Sequence, residues 1–252
     1  MSGTAYRILA VCLVLIVPLA MMGLWLRRLP IVDHVHTNGI TSYYTYSGVD
    51  RDSREKLPAI IFVGHPADSP RRLLQFKGRF DEPVLLIWSG LMEDFGRNTP
   101  IEDESVWAAK RLEFINLLDH YEARFIVDPN RIYLTGFSAS GVYAWMLAYD
   151  RPERYTAVVA MSTASYPPQI QEHLDAGKRV ITVVVRGRQD FMFPRRLEQE
   201  IETGRIIESY NPDSKFVLKE GQGHSEVAVY WLEYLQYVLR FSKTRMNHDV
   251  AP

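Results

Sequence analysis

The sequence contains little cysteine: one residue in 252, Cys12, which lies in an apolar N-terminal stretch. The rest of the chain can therefore form no disulfide, and cysteine usage does not indicate a redox compartment. The chain also lacks HExxH, paired CxxC and GxxxxGK[ST] motifs, so we expect neither a metal nor an organic cofactor. A formal net charge of −1 with scattered arginines argues against nucleic-acid binding.

Residues 8–26 form an uncharged apolar segment with Arg7 before it and Arg27 and Arg28 after it. Its length suffices to cross the roughly 30 Å hydrocarbon layer of a bilayer, which predicts a single-pass membrane anchor over residues 1–29. A cleaved signal peptide is the alternative, but its apolar region is usually shorter and ends at a small-x-small site. Basic residues at both ends leave the orientation open, and an extracytoplasmic catalytic domain is the expectation.

The remaining chain is predicted to form one domain over residues 41–245, after a linker at 30–40 and before a tail at 246–252. A content of 23% charged and 47% hydrophobic residues suits a globular core of this size. Strands alternate with helices, and several strands are continuous apolar runs. This pattern predicts an α/β fold with three layers, a mostly parallel sheet covered by helices on both faces.

The predicted strands lie near 42–47, 58–63, 83–89, 131–136, 156–161, 179–186 and 215–219, and the predicted helices near 103–122, 139–149, 194–209 and 225–241. The first of these strands is a candidate for antiparallel pairing at an edge of the sheet. We find no internal repeat and no low-complexity tract that would indicate a second domain.

A serine lies between the predicted strand at 131–136 and the predicted helix at 139–149, within Gly136-Phe-Ser-Ala-Ser140. A sharp strand-to-helix turn exposes such a serine, here Ser138, at the carboxyl edge of the sheet. The positions two before and two after the serine crowd each other, so the usual motif has glycine at both. Ser140 replaces the second glycine. An ordinary turn with a serine helix cap is the alternative interpretation.

Two later residues complete the chain order nucleophile, acid, base that such a turn predicts. Asp190 follows the β-branched run at 179–186, and His224 lies on a glycine-rich turn between the last predicted strand and the closing helix. A turn aspartate and a surface-loop histidine are the respective alternatives.

Residues 127–162 place a strand, the Ser138 turn, a helix and a further strand in unbroken order. This segment resembles the α/β-hydrolase superfamily, in particular its compact serine esterases, which are polyhydroxyalkanoate-depolymerase-like, feruloyl-esterase-like or dienelactone-hydrolase-like. The resemblance covers roughly residues 41–240. It implies the α/β-hydrolase fold, with Ser138 as nucleophile, Asp190 as acid and His224 as base.

The resemblance also implies an oxyanion hole made of two backbone N–H groups. One belongs to Ala139, and the other to His65 or Ala67 in the loop after the strand at 58–63. The family usually carries His-Gly in that loop, whereas this chain has Gly64-His65-Pro66. The proline has no N–H to donate, which makes this loop the clearest departure from the family pattern.

The implied activity is hydrolysis of a carboxylic ester through an acyl-enzyme, on a small-molecule or lipid-like substrate. A serine peptidase on the same fold is an alternative, because it would use the same three side chains. A catalytically inactive hydrolase-fold protein that binds a ligand or protein at the membrane is a third reading, favoured by the altered loop and by Ser140. The acyl and alcohol preferences and the oligomeric state stay open.

Overall fold

The computed structural model describes residues 33–37, 40–48, 56–64, 70–90, 104–125, 127–163, 170–175, 180–192 and 197–243. The chain divides into two compact units, Met1–Val32 and Asp33–Pro252, and all described residues belong to the second. None of the described helices is both long and apolar enough to span a bilayer. The predicted anchor at 8–26 lies outside the described residues.

Within the described residues, eight strands form one sheet in the spatial order β1-β2-β4-β3-β5-β6-β7-β8. The strands are β1 Asp33–Thr37, β2 Ile40–Ser47, β3 Leu57–Phe62, β4 Val84–Trp88, β5 Val127–Phe137, β6 Ala157–Met161, β7 Ile181–Gly187 and β8 Lys215–Lys219. β2 pairs antiparallel with β1 and with β4, and all the other neighbouring strands are parallel. The prediction of a mostly parallel sheet is confirmed.

Five α-helices are described: α1 Glu104–Arg124, α2 Ala139–Asp150, α3 Ile170–Asp175, α4 Leu197–Tyr210 and α5 Trp231–Leu239. Shorter 3₁₀ helices cover Pro70–Phe76 and Glu226–Tyr230. The predicted helix at 225–241 is therefore a 3₁₀ turn that leads into a shorter α-helix.

Side chains of each central strand alternate between two apolar cores. In β6, Val158 and Ala160 pack in the core that contains residues of α1 and α2. Val159 and Met161 pack in the other core, with residues of α5 and the 3₁₀ helix Pro70–Phe76. Both faces are covered, which explains why these strands are continuous apolar runs rather than alternating patterns.

The N-terminal edge of the sheet differs from the sequence-based expectation. The predicted linker at 30–40 contains β1, which pairs antiparallel with β2. β2 is therefore an interior strand, although the sequence favoured it as the edge. The residues of β1, Asp33-His-Val-His-Thr37, lack a strong strand pattern. β1 joins the sheet because its backbone pairs with the backbone N–H and C=O groups along the free edge of β2.

Candidate active site

Ser138 is the single residue between β5 and α2, and its backbone is in an unusual conformation. Its φ of 56° and ψ of −124° lie in a region that L-amino acids rarely adopt. Its N–H donates to the Met161 carbonyl at 2.8 Å, and its own carbonyl accepts from the Gly141 N–H at 3.1 Å. Such strain persists only where surrounding contacts define the conformation, and it concentrates at functional sites.

The tightness of this turn explains the glycine before Ser138. A β-carbon at Gly136 would lie 2.2 Å from the Ser140 carbonyl oxygen, so no larger residue fits there without moving the helix. Ser140 itself is only 2% exposed. Its hydroxyl accepts a hydrogen bond from the Phe137 N–H at 3.1 Å and donates to the Phe137 carbonyl at 2.8 Å. The serine that departs from the usual motif therefore bonds to the turn.

Asp190 lies three residues beyond the end of β7, and its side chain is fully buried. One carboxylate oxygen, Oδ1, accepts the Met192 N–H at 3.0 Å. The other, Oδ2, lies 2.8 Å from Nδ1 of His224. The carboxylate is thus held by its own turn while it contacts the imidazole.

His224 lies in the turn after β8, and its side chain is 14% exposed. Its Nε2 lies 3.1 Å from Oγ of Ser138. The Phe137 ring meets the imidazole edge to face, with ring centroids 5.2 Å apart. With its proton on Nδ1, the imidazole donates to Asp190 and accepts the Ser138 hydroxyl proton at Nε2. The structure therefore brings all three predicted side chains into one hydrogen-bonded chain.

Gly187, at the end of β7, is a site residue that the sequence analysis missed. A β-carbon there would lie 2.2 Å from the Gln222 carbonyl oxygen and 2.5 Å from that of Gly223. The Gln189 N–H also donates to the Gln222 carbonyl at 3.0 Å. Close approach of two backbones is a known reason for glycine, so the signal was a glycine directly after an apolar strand.

The residues expected to form the oxyanion hole are only partly described. Ala139 is the first residue of α2, where backbone N–H groups have no partner within the helix and the helix dipole favours negative charge. His65 and Ala67 lie outside the described residues. Gly64 is described, and its N–H donates to the Ser89 hydroxyl at 3.3 Å.

A buried ion pair lies beside the strand ends that carry these groups. Arg186 of β7 and Glu200 of α4 are 1% and 2% exposed and are in direct contact. Arg186 Nη1 also donates to the Thr163 carbonyl at 3.0 Å. Burial strengthens each of these interactions, and it makes the loss of either charge costly.

Apolar side chains around the site differ in exposure. Trp88, at the end of β4, is 3% exposed and belongs to a core. Phe191 and Met192, directly after Asp190, are 77% and 52% exposed. Of these three side chains, Phe191 and Met192 are the ones exposed to solvent.

The fold is that of an α/β hydrolase. The chain belongs to the phospholipase/carboxylesterase family, whose sequence model matches residues 88–242, more than half of the chain. The resemblance to the α/β-hydrolase superfamily is thereby confirmed. No curated protein sequence matches the chain.

Solved structures of esterases share the fold. Est1E from Butyrivibrio proteoclasticus has a TM-score of 0.57 and 15% identity, covering 88% of this chain and 99% of its own. Esterase 2 of Thermogutta terrifontis, phosphoramylated by tabun, has a TM-score of 0.61 and 15% identity, covering 84% and 94%. A protein assigned as a dienelactone hydrolase from Klebsiella pneumoniae has a TM-score of 0.58 and 19% identity, covering 84% and 99%.

Proposed function

We propose that the protein is a serine hydrolase that cleaves carboxylic esters through an acyl-enzyme on Ser138. The observation that carries this proposal is the continuous chain from Ser138 Oγ through His224 to the buried Asp190 carboxylate, with contacts of 3.1 Å and 2.8 Å. Serine is a weak nucleophile unless a positioned base removes its proton, and this geometry supplies that base.

In the proposed reaction, His224 Nε2 accepts the hydroxyl proton while Ser138 Oγ attacks the ester carbonyl carbon. Asp190 holds the imidazole in the required tautomer and stabilises its positive charge. The imidazolium then protonates the departing alcohol, and a water molecule activated by the same nitrogen releases the acid. The Ala139 N–H is proposed to bind the negatively charged oxygen of the intermediate, together with an N–H of His65 or Ala67.

An apolar group on the substrate is supported by Phe191 and Met192. Both side chains are more than half exposed and directly follow the acid residue of the proposed triad. Exposed apolar side chains that lie together can mark a ligand-binding surface. We therefore propose that an apolar acyl or alcohol group of a small-molecule or lipid-like ester contacts these two side chains.

The alternative of a catalytically inactive binding protein was based on two features, Ser140 and the altered loop, and the first no longer supports it. Ser140 was an argument against a working turn, but its hydroxyl is hydrogen-bonded to both backbone groups of Phe137. The other ground, Gly64-His65-Pro66, concerns residues largely outside the described ranges. The active-enzyme proposal is therefore the better supported of the two.

The proposal is tested by labelling the full-length chain with a fluorophosphonate and identifying the labelled peptide by mass spectrometry. Organophosphate reactivity has a precedent on this fold, because the Thermogutta terrifontis esterase 2 structure is phosphoramylated by tabun. We expect wild type and Ser225→Ala to be labelled at Ser138, and Ser138→Ala to be unlabelled. Ser225 is a matched control, since it is an exposed serine beside His224. Absence of label on folded wild type would reject the proposed activity.

We further propose that residues 8–26 anchor the protein in a membrane. The support is the uncharged apolar run between flanking arginines. The intact mass of protein from alkaline-washed membranes should equal that of the uncleaved chain. A shorter mass, with the protein in the soluble fraction, would instead establish a cleaved signal peptide.

A further inference from the structure

Ser162, the first residue after β6, combines a strained backbone with complete burial. Its φ is 47°, in the left-handed region, and its side chain is 0% exposed. Its N–H donates to the Val185 carbonyl of β7 at 2.8 Å. A non-glycine residue keeps such a conformation only where its surroundings hold it there.

The hydroxyl of Ser162 contacts the main chain of His224. Its Oγ donates to the backbone carbonyl of His224 at 2.7 Å. Gln222, two residues before His224, accepts the N–H of Gln189, which precedes Asp190, at 3.0 Å. The turn that carries His224 is therefore bonded at Gln222 to the residue before Asp190, and at His224 itself to the residue after β6.

Ser162 is itself firmly supported. The next residue, Thr163, accepts a hydrogen bond through its carbonyl from Arg186, which is paired with Glu200 in the interior. The Thr163 methyl group would lie 3.0 Å from a β-carbon at Gly141, in the first turn of the helix that follows Ser138. One short segment thus contacts β7, the histidine turn and the helix behind the nucleophile.

We propose that Ser162 is a positioning residue for His224. Its hydroxyl holds the carbonyl of the histidine and thereby sets the place of the imidazole between Asp190 and Ser138. The inference rests on the proposed serine hydrolase activity. A misplacement of about 1 Å in such a constellation is enough to lower a rate on the order of a hundredfold.

The test compares Ser162→Ala and Ser162→Gly with wild type in the full-length protein. Both variants remove the hydroxyl, and glycine also accepts the positive φ without strain, so it serves if the alanine variant does not fold. Thr156→Val is the matched control. Thr156 is equally buried, lies at the opposite end of β6 and donates to the Asn130 carbonyl at the same distance of 2.7 Å.

We expect kcat for an ester substrate and the fluorophosphonate labelling rate of Ser138 to fall roughly tenfold to a hundredfold in the Ser162 variants. KM should stay within about twofold, because the interaction acts on the transition state rather than on substrate binding. The Thr156→Val control should keep the wild-type rate.

Three outcomes overturn the inference. If wild type is labelled and a folded Ser162 variant is labelled at the same rate, Ser162 has no positioning role and the proposed activity stands. If KM rises while kcat is unchanged, the residue acts on substrate binding instead. If wild type itself is neither labelled nor active, the proposed function and this inference fall together.

Discussion

The Ser140 hydroxyl is bonded to both backbone groups of Phe137, accepting from its N–H at 3.1 Å and donating to its carbonyl at 2.8 Å. The two residues lie on either side of Ser138, so the contact closes the turn across the proposed nucleophile. A glycine at position 140, as in the usual motif, would lack this bridge. The departure from the motif therefore has a defined structural role in this chain.

Replacing Ser140 by alanine should weaken the turn and slow the labelling of Ser138. The lost partners should lower the free energy of unfolding by about 1–3 kcal/mol, measured by urea denaturation. Ser214→Ala is the control, because Ser214 is also buried and accepts the Thr182 N–H at 2.9 Å. We expect both variants to lose stability and only Ser140→Ala to react more slowly. Equal reactivity of the two would assign Ser140 a purely structural role.

Asp190→Asn should reduce kcat on the order of ten-thousandfold, because an amide in this place favours the wrong imidazole tautomer. Asp128→Asn provides a close control. Asp128 accepts the N–H two residues later at 2.9 Å, as Asp190 does at 3.0 Å, but only Asp190 also contacts His224. Steady-state kinetics on an ester would show the difference. Near-wild-type turnover of Asp190→Asn would make Asp190 a turn aspartate only.

Gly187→Ala should displace the histidine turn, since the new β-carbon would lie 2.2 Å from the Gln222 carbonyl oxygen. We expect a rate loss on the order of a hundredfold. In Gly223→Ala the added carbon would meet the Glu226 carboxylate tip, which can rotate away. That variant should retain most of its activity although it lies next to His224. Wild-type activity of Gly187→Ala would mean that the backbones at residues 187 and 222 separate without moving the imidazole of His224.

Breaking the buried ion pair between Arg186 and Glu200 should destabilise the domain strongly. Arg186→Met leaves the Glu200 carboxylate without its cationic partner in the interior, at a cost of about 3–5 kcal/mol. The double replacement Arg186→Met with Glu200→Leu should recover much of this loss, because no isolated charge remains buried. Urea denaturation of both variants measures the difference. A double variant no more stable than the single one would contradict this account.

Alkaline pH should destabilise the fold through its buried tyrosines. Burial raises the pKa of Tyr149 from 10.0 to about 12, and its hydroxyl lies 3.0 Å from that of Thr182. The unfolded chain releases this proton near pH 10 while the folded chain retains it, so stability is complete below about pH 10 and falls as pH rises toward about 12. In that window, each tyrosine that stays protonated in the folded state lowers the free energy of unfolding by about 1.4 kcal/mol per pH unit.

Urea denaturation at about pH 8 and about pH 11 checks this expectation, with Tyr149→Phe beside wild type. The phenylalanine variant cannot ionise, so its loss of stability between the two pH values should be smaller. An equal loss of stability in both proteins would show that the pKa of Tyr149 is the same in the folded and the unfolded state.

Much of the fold and of the site could be predicted because it depends on local patterns. Strands buried on both faces appear as continuous apolar runs, such as β6, which was predicted near 156–161 and lies at Ala157–Met161. Ser138, Asp190 and His224 were found because each follows a strand in a recognisable turn. Their mutual contacts follow from the parallel part of the sheet, where the carboxyl ends of the strands lie at the same edge.

The sequence by itself thus determined β2 to β8 and four of the five described α-helices in their order, the family, and the three side chains that meet. Only the tertiary structure decided that β1 joins the sheet, that Ser140 bridges Phe137, and that Ser162 holds the carbonyl of His224. The last contact joins positions 62 residues apart, and no local pattern encodes it. A hydrogen bond depends on where two backbones finally lie, to within a few tenths of an ångström, and the packing of the entire sheet sets that distance.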